Sequence, residues 1–174
     1  RTFNVENDSM ANITWNGQDD VGKIVLDGVY SYVVHSKDRA GNETTKKLTN
    51  IIVDTNRPSL SLNIDRKFFS PNGDGIYDNI SLIPKLAKDG LVKCRIEVKN
   101  TSGKTLHQVE LSPNNIDTFI FDGKASNGKV LDEGSYYAML MAEYNNGYLS
   151  SAPSPSFVVD LTPPKASVRA SDKI

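Results

Sequence analysis

A short loop rich in oxygen-bearing side chains is the part of this sequence best suited to chemistry. Asn72, Asp74 and Asp78 lie close together in a run that also contains two glycines. Calcium loops place oxygen ligands at alternate positions and use glycine for the sharp turn between them. With Ser70 taken as the first position, the candidate calcium ligands are Asn72, Asp74, the carbonyl of Ile76 and Asp78.

The same loop also fits a purely structural role. Its first position is Ser70 rather than aspartate, and its twelfth is Ser81, so the bidentate glutamate of a calcium loop is missing. Calcium takes six to eight oxygens, and this loop offers about four. Asn and Asp side chains also accept hydrogen bonds from nearby backbone amides in Asx turns. Two interpretations therefore stay open, a calcium site or a set of structural turns, and no other cofactor is expected.

No catalytic constellation accompanies this loop in the sequence. The two histidines, His35 and His107, stand in no zinc-binding pattern, and the chain contains no nucleophile-elbow or P-loop motif. The lone cysteine, Cys94, occupies an apolar position of an alternating segment, where we expect it to act as a small hydrophobe. We therefore predict that the chain is not an enzyme.

Charge and hydropathy exclude two classes of partner. The net charge is −1, from 20 basic and 21 acidic residues, so the chain as a whole has no electrostatic reason to bind nucleic acid. No segment approaches the roughly 20 consecutive apolar residues that span a bilayer, so no direct membrane insertion is expected.

The elements that position these residues recur along the chain at an offset of 106 positions, without a gap. Only glycine tolerates certain turn conformations, so glycines that recur at one spacing indicate a shared framework of turns. A repeat of about a hundred residues indicates tandem copies of one domain. The matched pairs include Trp15 with Phe121, Gly17 with Gly123, Gly22 with Gly128, Gly28 with Gly134, Tyr30 with Tyr136, Gly41 with Gly147, Val53 with Val159 and Pro58 with Pro164.

The repeat also predicts the domain boundaries. Equivalent proline-bearing junctions follow apolar segments at 51–53 and 157–159, and proline ends strand pairing. We predict the C-terminal half of a preceding repeat over 1–58, a complete repeat over 59–163, and the first strand of a following repeat over 164–174. The chain is accordingly expected to be part of a longer protein. The half-repeat should offer an open sheet edge that recruits a strand from a partner, as in a strand-exchange oligomer.

Within the complete repeat the dominant hydrophobic period is two, the period of β-strands. Over 91–99, positions 92, 94, 96 and 98 are apolar and the residues between them are charged, which predicts a half-buried strand with a solvated outer face. Short strands separated by Gly, Asn, Asp and Pro turns, about seven per repeat, indicate an all-β fold of tandem immunoglobulin-like antiparallel β-sandwiches.

Two motifs carry a resemblance to a known module. The run Phe69–Gly75, FSPNGDG, resembles the signature that opens certain bacterial immunoglobulin-like or fibronectin-like surface-protein repeats. The patterns that begin at Trp15 and Phe121, an aromatic residue and Asn or Asp before glycine and then G…G-x-Y, look like the second half of that module. The module is similar to the immunoglobulin-like domain of flagellar hook-capping proteins and to accessory domains of cell-envelope subtilases.

This resemblance implies a non-catalytic structural or interaction module, a spacer or adhesion-type repeat of a larger bacterial cell-surface or secreted protein. Its partners would be neighbouring immunoglobulin-like repeats and another protein, and its location would be extracellular or at the cell surface. The resemblance leaves two alternatives, an accessory substrate-binding domain of a cell-envelope subtilisin-like protease and a flagellar hook-assembly scaffold domain.

Overall fold

The computed structural model describes residues 1–5 and 12–168, and it divides the chain into two compact units. The first unit comprises residues 1–56, and the second begins at Arg57. Every regular element in the described residues is a β-strand, which confirms the predicted all-β class. Those residues accordingly include no helix with the length and apolar character needed to cross a membrane.

The first unit is built on a two-stranded antiparallel sheet. Strand β1 (Gly28–Lys37) pairs with β2 (Glu43–Val53), and the register shifts between Tyr30 and Tyr32, as at a β-bulge. Most side chains of both strands are exposed or only half-buried. A two-stranded sheet with so little burial is marginally stable by itself.

The second unit is a β-sandwich of two sheets. Short strands enriched in β-branched and aromatic residues alternate with turns that contain Gly, Asn and Pro. In the described residues these strands are β3 (Leu60–Ile64), β4 (Phe68–Phe69), β5 (Ile80–Leu86), β6 (Leu91–Asn100), β7 (Thr105–Leu111), β8 (Phe119–Phe121), β9 (Gly134–Tyr144), β10 (Leu149–Pro153) and β11 (Phe157–Val159).

The larger sheet has the order β4-β11-β9-β6-β7, and β10 pairs with the later part of β9. The smaller sheet has the order β3-β5-β8. Strands β4 and β11 run parallel, whereas the other paired strands of this unit are antiparallel in the described residues. The structure has more strands than the seven expected because it includes very short ones such as β4, which the hydrophobic period cannot reveal.

The core lies between these two sheets. Ile96 from the larger sheet and Leu82 from the smaller one are completely buried, as the alternation of side chains along each strand requires. At its centre the rings of Phe69, Phe121 and Phe157 meet in tilted or edge-on contacts, with centroids 5.9–6.4 Å apart. This geometry is favourable for aromatic pairs, and it joins strands β4, β8 and β11.

Strand β6 follows the predicted alternation with one departure at its start. The apolar residues at 94, 96 and 98 are buried as predicted, and Cys94 is only 1% exposed. Val92 was predicted to point inward with them but is 46% exposed. The cause is a shift in register at 91–93, which leaves Leu91 packed against the core and turns Val92 toward solvent.

The outer face of β6 also differs from the prediction of a solvated charged surface. Glu97 is only 7% exposed. Its carboxylate accepts hydrogen bonds from Arg95 Nε at 2.8 Å, from Lys99 Nζ at 2.6 Å and from Thr105 Oγ1 at 3.3 Å. The bond from Lys99 lowers the pKa of Glu97 below its ordinary value, against the opposing effect of burial, and the bond from Arg95 lowers it further.

The matched glycines occupy the same corners in both units. The φ angles are 77° at Gly17 and 73° at Gly123, and 82° at Gly22 and 81° at Gly128. The hydrogen bonds agree as well, because the amide of residue 25 donates to the carbonyl of Gly17 at 2.9 Å and that of residue 131 to Gly123 at 2.8 Å. The repeat seen in the sequence is therefore a repeat of backbone geometry.

Gly123 is the most crowded of these corners. A Cβ at this position would lie 2.6 Å from the ring of Pro71 and 3.1 Å from the ring of Phe69. Gly128 has a similar positive φ, but nothing lies within 4 Å of its Cβ position. Substitutions at these two glycines therefore distinguish the cost of backbone strain from the cost of steric overlap.

We expect Gly123→Ala to be clearly more destabilising than Gly128→Ala. The Gly128 change adds only left-handed strain, about 1 kcal/mol. The Gly123 change also forces Pro71 and Phe69 to shift, for a total on the order of 3 kcal/mol. Urea denaturation followed by circular dichroism measures both values, and equal losses would contradict the steric argument.

Glu97→Gln should flatten the acid limb of the stability profile. A carboxyl with a lowered folded pKa stabilises the fold above its unfolded pKa, about 4.3, and this contribution disappears as the pH falls through the folded pKa. The wild type should therefore lose about 1 kcal/mol more than Glu97→Gln on going from pH 7 to about pH 3. Urea denaturation at both pH values tests this, with Glu110→Gln as the exposed control; identical pH dependence in all three proteins would refute it.

Candidate functional site

The loop singled out by the sequence joins β4 to β5 and is attached to the core at its start. Phe69 is buried among the core aromatics, and Pro71 is buried against Gly123. The amide of Ser70 donates to the carbonyl of Tyr77 at 2.8 Å, which draws the two ends of the loop together. The Phe-x-Pro part of the motif is therefore a structural anchor.

Asp78 binds the two glycine amides of the loop. One carboxylate oxygen accepts a hydrogen bond from the amide of Gly73, and the other accepts one from the amide of Gly75, both at 2.7 Å. Short hydrogen bonds of this kind to an ionised acceptor are stronger than neutral ones. Asp78 therefore holds the loop in its closed conformation.

Asn72 and Asp74 form two further Asx-type turns. Asn72 Oδ1 accepts a hydrogen bond from the amide of Asp74 at 3.0 Å, and Asp74 Oδ1 accepts one from the amide of Ile76 at 2.8 Å. Asn72 Nδ2 donates to the other oxygen of Asp74 at 3.0 Å. That bond, followed by the one from Ile76, lowers the pKa of Asp74.

The structure thus brings Asn72, Asp74 and Asp78 into one loop, as the calcium interpretation requires. Every carboxylate oxygen among them, however, already accepts an N–H donor, and the described residues contain no group of three or more His, Cys, Asp or Glu side chains arranged to hold a metal. These contacts are the ones the structural-turn interpretation predicts. Calcium binding at these residues stays a prediction.

The tip of the loop is more apolar than its motif suggests. Ile76, whose carbonyl was a candidate ligand, and Tyr77 each have 64% of their surface exposed. Tyr77 has a positive φ of 55°, and the guanidinium of Arg66 lies 4.8 Å from the centre of its ring. A left-handed conformation at a tyrosine is set by its surroundings, so residue type alone could not indicate it.

The cysteine and the two histidines each have a defined local environment. Burial, together with the nearby carboxylate of Glu110, raises the pKa of the Cys94 thiol to about 11. His35 lies in the first unit beside Thr45, with Oγ1 3.3 Å from Nδ1. His107 lies in the second unit, and its ring centroid is 5.2 Å from that of Phe121.

Sequence reasoning missed a pair of acidic contacts where the chain leaves each unit. In the second unit, Glu133 Oε1 accepts hydrogen bonds from the amide of Leu161 at 2.8 Å and from Thr162 Oγ1 at 2.7 Å. In the first unit, Asp27 Oδ1 accepts bonds from the amide of Thr55 at 3.0 Å and from its hydroxyl at 2.8 Å. We call these two contacts the exit clamps.

The exit clamps have a sequence signal that could have been read. Each acid directly precedes the matched glycine that opens the long strand, and each threonine follows the last apolar strand within three residues. The bond from Thr162, followed by the one from Leu161, lowers the pKa of Glu133. Glu133 is exposed but has defined partners.

The loops that connect β1 to β2 and β9 to β10, which we call the tips, share one backbone turn but stabilise it with different side chains. At the first tip the amide of Asp38 donates to the carbonyl of Asn42 at 3.0 Å, and the Asp38 carboxylate also binds Asn42. At the second tip Tyr144 and Tyr148 make the equivalent backbone bond, also at 3.0 Å. There the hydroxyl of the buried Tyr144 donates to the carbonyl of Ala87 at 3.1 Å.

Comparison with known proteins gives structural neighbours only. No protein-family model matches the sequence, and no curated protein matches it. One neighbour is the tetra-tandem repeat in the extending region of a large adhesion protein, with a TM-score of 0.46, 14% identity, and coverage of 83% of this chain and 40% of that one. Another is dimeric latent PorU from Porphyromonas gingivalis, with a TM-score of 0.46, 10% identity, and coverage of 79% and 13%. The chain spans less than half the length of either.

Removal of Asp78 should open the loop whether or not calcium is present. Asp78→Ala deprives the amides of Gly73 and Gly75 of their acceptor, so we expect a loss of about 1–2 kcal/mol. Asp78→Asn keeps one acceptor oxygen and should lose less. Urea denaturation measures both changes.

The same proteins test calcium. Melting temperatures are recorded with calcium chloride and with a chelator. If the structural-turn interpretation is correct, the wild type melts at one temperature in both conditions. A calcium-dependent increase that Asp74→Ala abolishes would instead establish a metal site.

Proposed function

We propose that the chain is a non-catalytic spacer module of tandem immunoglobulin-like repeats in a larger bacterial cell-surface or secreted protein. The observation that carries this proposal is the recurrence of one turn framework and one exit clamp in both units. A spacer needs each copy to present its ends in the same way, and it makes no demand on reactive groups.

The exit clamps support this function because they lie where the chain passes from one repeat to the next. Asp27 and Glu133 each hold the backbone just beyond the last strand of their unit. The segments that follow contain prolines, which stiffen a linker. Together they fix the direction in which the chain leaves the sheet.

The pairing of β4 with β11 supports a role in bearing tension. These strands lie near the two ends of the second unit and run parallel. The amide of Val158 donates to the carbonyl of Lys67 at 2.8 Å, and the amide of Asp160 donates to that of Phe69 at 3.1 Å. Tension between the ends of the unit pulls parallel neighbours in opposite directions along their length, so it loads these bonds together.

A non-catalytic role agrees with the state of the candidate reactive groups. Cys94 is buried, and with a pKa of about 11 its thiol is protonated at neutral pH, whereas a nucleophilic cysteine acts as the thiolate. The carboxylates of the Asn72–Asp78 loop hold backbone amides. The partners proposed for the module are neighbouring immunoglobulin-like repeats and another protein, in an extracellular or cell-surface location.

The proposal is tested by stretching the full chain between handles at its two ends in a single-molecule force experiment. We expect the second unit to unfold in one step at a well-defined force. Asp160→Pro removes the amide that donates to Phe69 and should lower that force, because forced unfolding follows the unfolding rate.

Asp160→Asn is the matched control, since it retains the amide and an oxygen that can cap Thr162. It should unfold at the wild-type force. A second unit that extends gradually without a resolved unfolding force would rule out the load-bearing spacer.

A further inference from the structure

The repeat offset identifies an uncovered apolar face on the first unit. Its members match side chains that form the core of the second unit, where all of them are buried. In the first unit they are only half-buried or exposed, and Val34 is 45% exposed where the matched Leu140 is 0%. We call these residues the β1 face: Trp15, Val25, Tyr30, Tyr32, Val34, Ile51 and Val53.

Strand β1 also has a free edge, on the side where its counterpart in the second unit has a neighbouring strand. Its counterpart β9 lies between β11 on one edge and β6 on the other. In the first unit β2 takes the place of β10 and β11, and no strand among the described residues takes the place of β6. A free edge next to an uncovered apolar face is the arrangement that an added β-strand uses.

The second unit indicates what occupies this place. At the 106-residue offset, Arg1 matches His107, and Phe3 and Val5 match Val109 and Leu111 of β7. Shifted back by the same offset, residues 57–106, which include β3 to β6, fall on positions ahead of Arg1. In the second unit β3 and β5 contribute side chains such as Leu62 and Leu82 to the core on which the β9 face packs, and β6 pairs with the edge of β9.

A steric detail points to the same occupant. Nothing lies within 4 Å of the position that a Cβ would take on Gly17, whose φ is +77°. At the matched Gly123 that space is filled by the rings of Pro71 and Phe69. In the first unit the corresponding space is open, which leaves room for a Phe-x-Pro loop.

We propose that the β1 edge and the β1 face bind a front half-repeat with the pattern of residues 57–106, and that a strand like β6 pairs with β1. The register follows from the second unit, where Ile96 lies opposite Leu140 and Val98 lies opposite Ala138. Ile96 of the incoming segment would therefore lie opposite Val34, and Val98 opposite Tyr32. This inference depends on the repeat geometry and holds whether or not the chain bears load.

The test grafts a second copy of residues 57–106 ahead of Arg1 in the full chain, so that Arg1 follows Leu106 as His107 does in the second unit. Trp15 is the sole tryptophan and lies on the β1 face, so it reports on coverage. We expect its emission to shift to shorter wavelength and the β1 amides to exchange at least about a hundredfold more slowly. Gly17→Ala should destabilise the grafted chain more than the unmodified one, because Pro71 of the graft would then lie against residue 17 as Pro71 lies against Gly123.

The control is the same graft with Ile96→Asp in the added copy, which places a charge opposite Val34 and should abolish both changes. If a grafted chain does not fold, adding the free 91–100 peptide to the unmodified chain should still slow exchange in β1. Unchanged Trp15 emission and unchanged exchange in both experiments would overturn the proposal. A second result would also overturn it: light scattering that shows a dimer of the unmodified chain, together with β1 amides that are already protected from exchange. The occupant would then be a second copy.

Discussion

The constraint on which this structure depends is that each sheet must cover the apolar face of the other. The contact of Phe69, Phe121 and Phe157 expresses it most directly, because these rings come from three strands far apart in sequence. Most of the hydrophobic stabilisation of a small domain comes from such burial. Where the constraint is met, in the second unit, the core side chains are excluded from water. In the first unit the same positions are only partly covered.

This constraint also gives the FSPNGDG motif a structural role. Its first half buries a phenylalanine in the core and a proline against Gly123, which leaves room for both. Its second half folds back on its own amides through Asp78 and Asp74. A loop held in this way fixes the position at which β5 begins. The motif therefore contributes to packing, and its carboxylates bind the amides of their own loop.

Much of the fold could be predicted from the sequence because periodicity and glycine spacing report backbone geometry directly. The apolar residues at 94, 96 and 98 of β6 are buried as their alternation predicted, and the matched glycines recur because left-handed corners favour glycine. Asn72, Asp74, Ile76 and Asp78 all lie in the loop between β4 and β5, and calcium binding there stays a prediction. Val92 and Glu97 were misjudged because a register shift and a local ion-pair network depend on neighbouring strands. The exit clamps were missed because each joins residues 28 or 29 positions apart.

The two connecting tips show that one backbone turn is compatible with unrelated side chains. Asp38 closes its tip with a local carboxylate, whereas Tyr144 reaches across to Ala87 and is buried. The shape of the turn is thus uncoupled from the chemistry that it displays. Successive copies of such a module are free to diversify their tips, so a row of repeats can show a different surface at every step while its scaffold stays uniform.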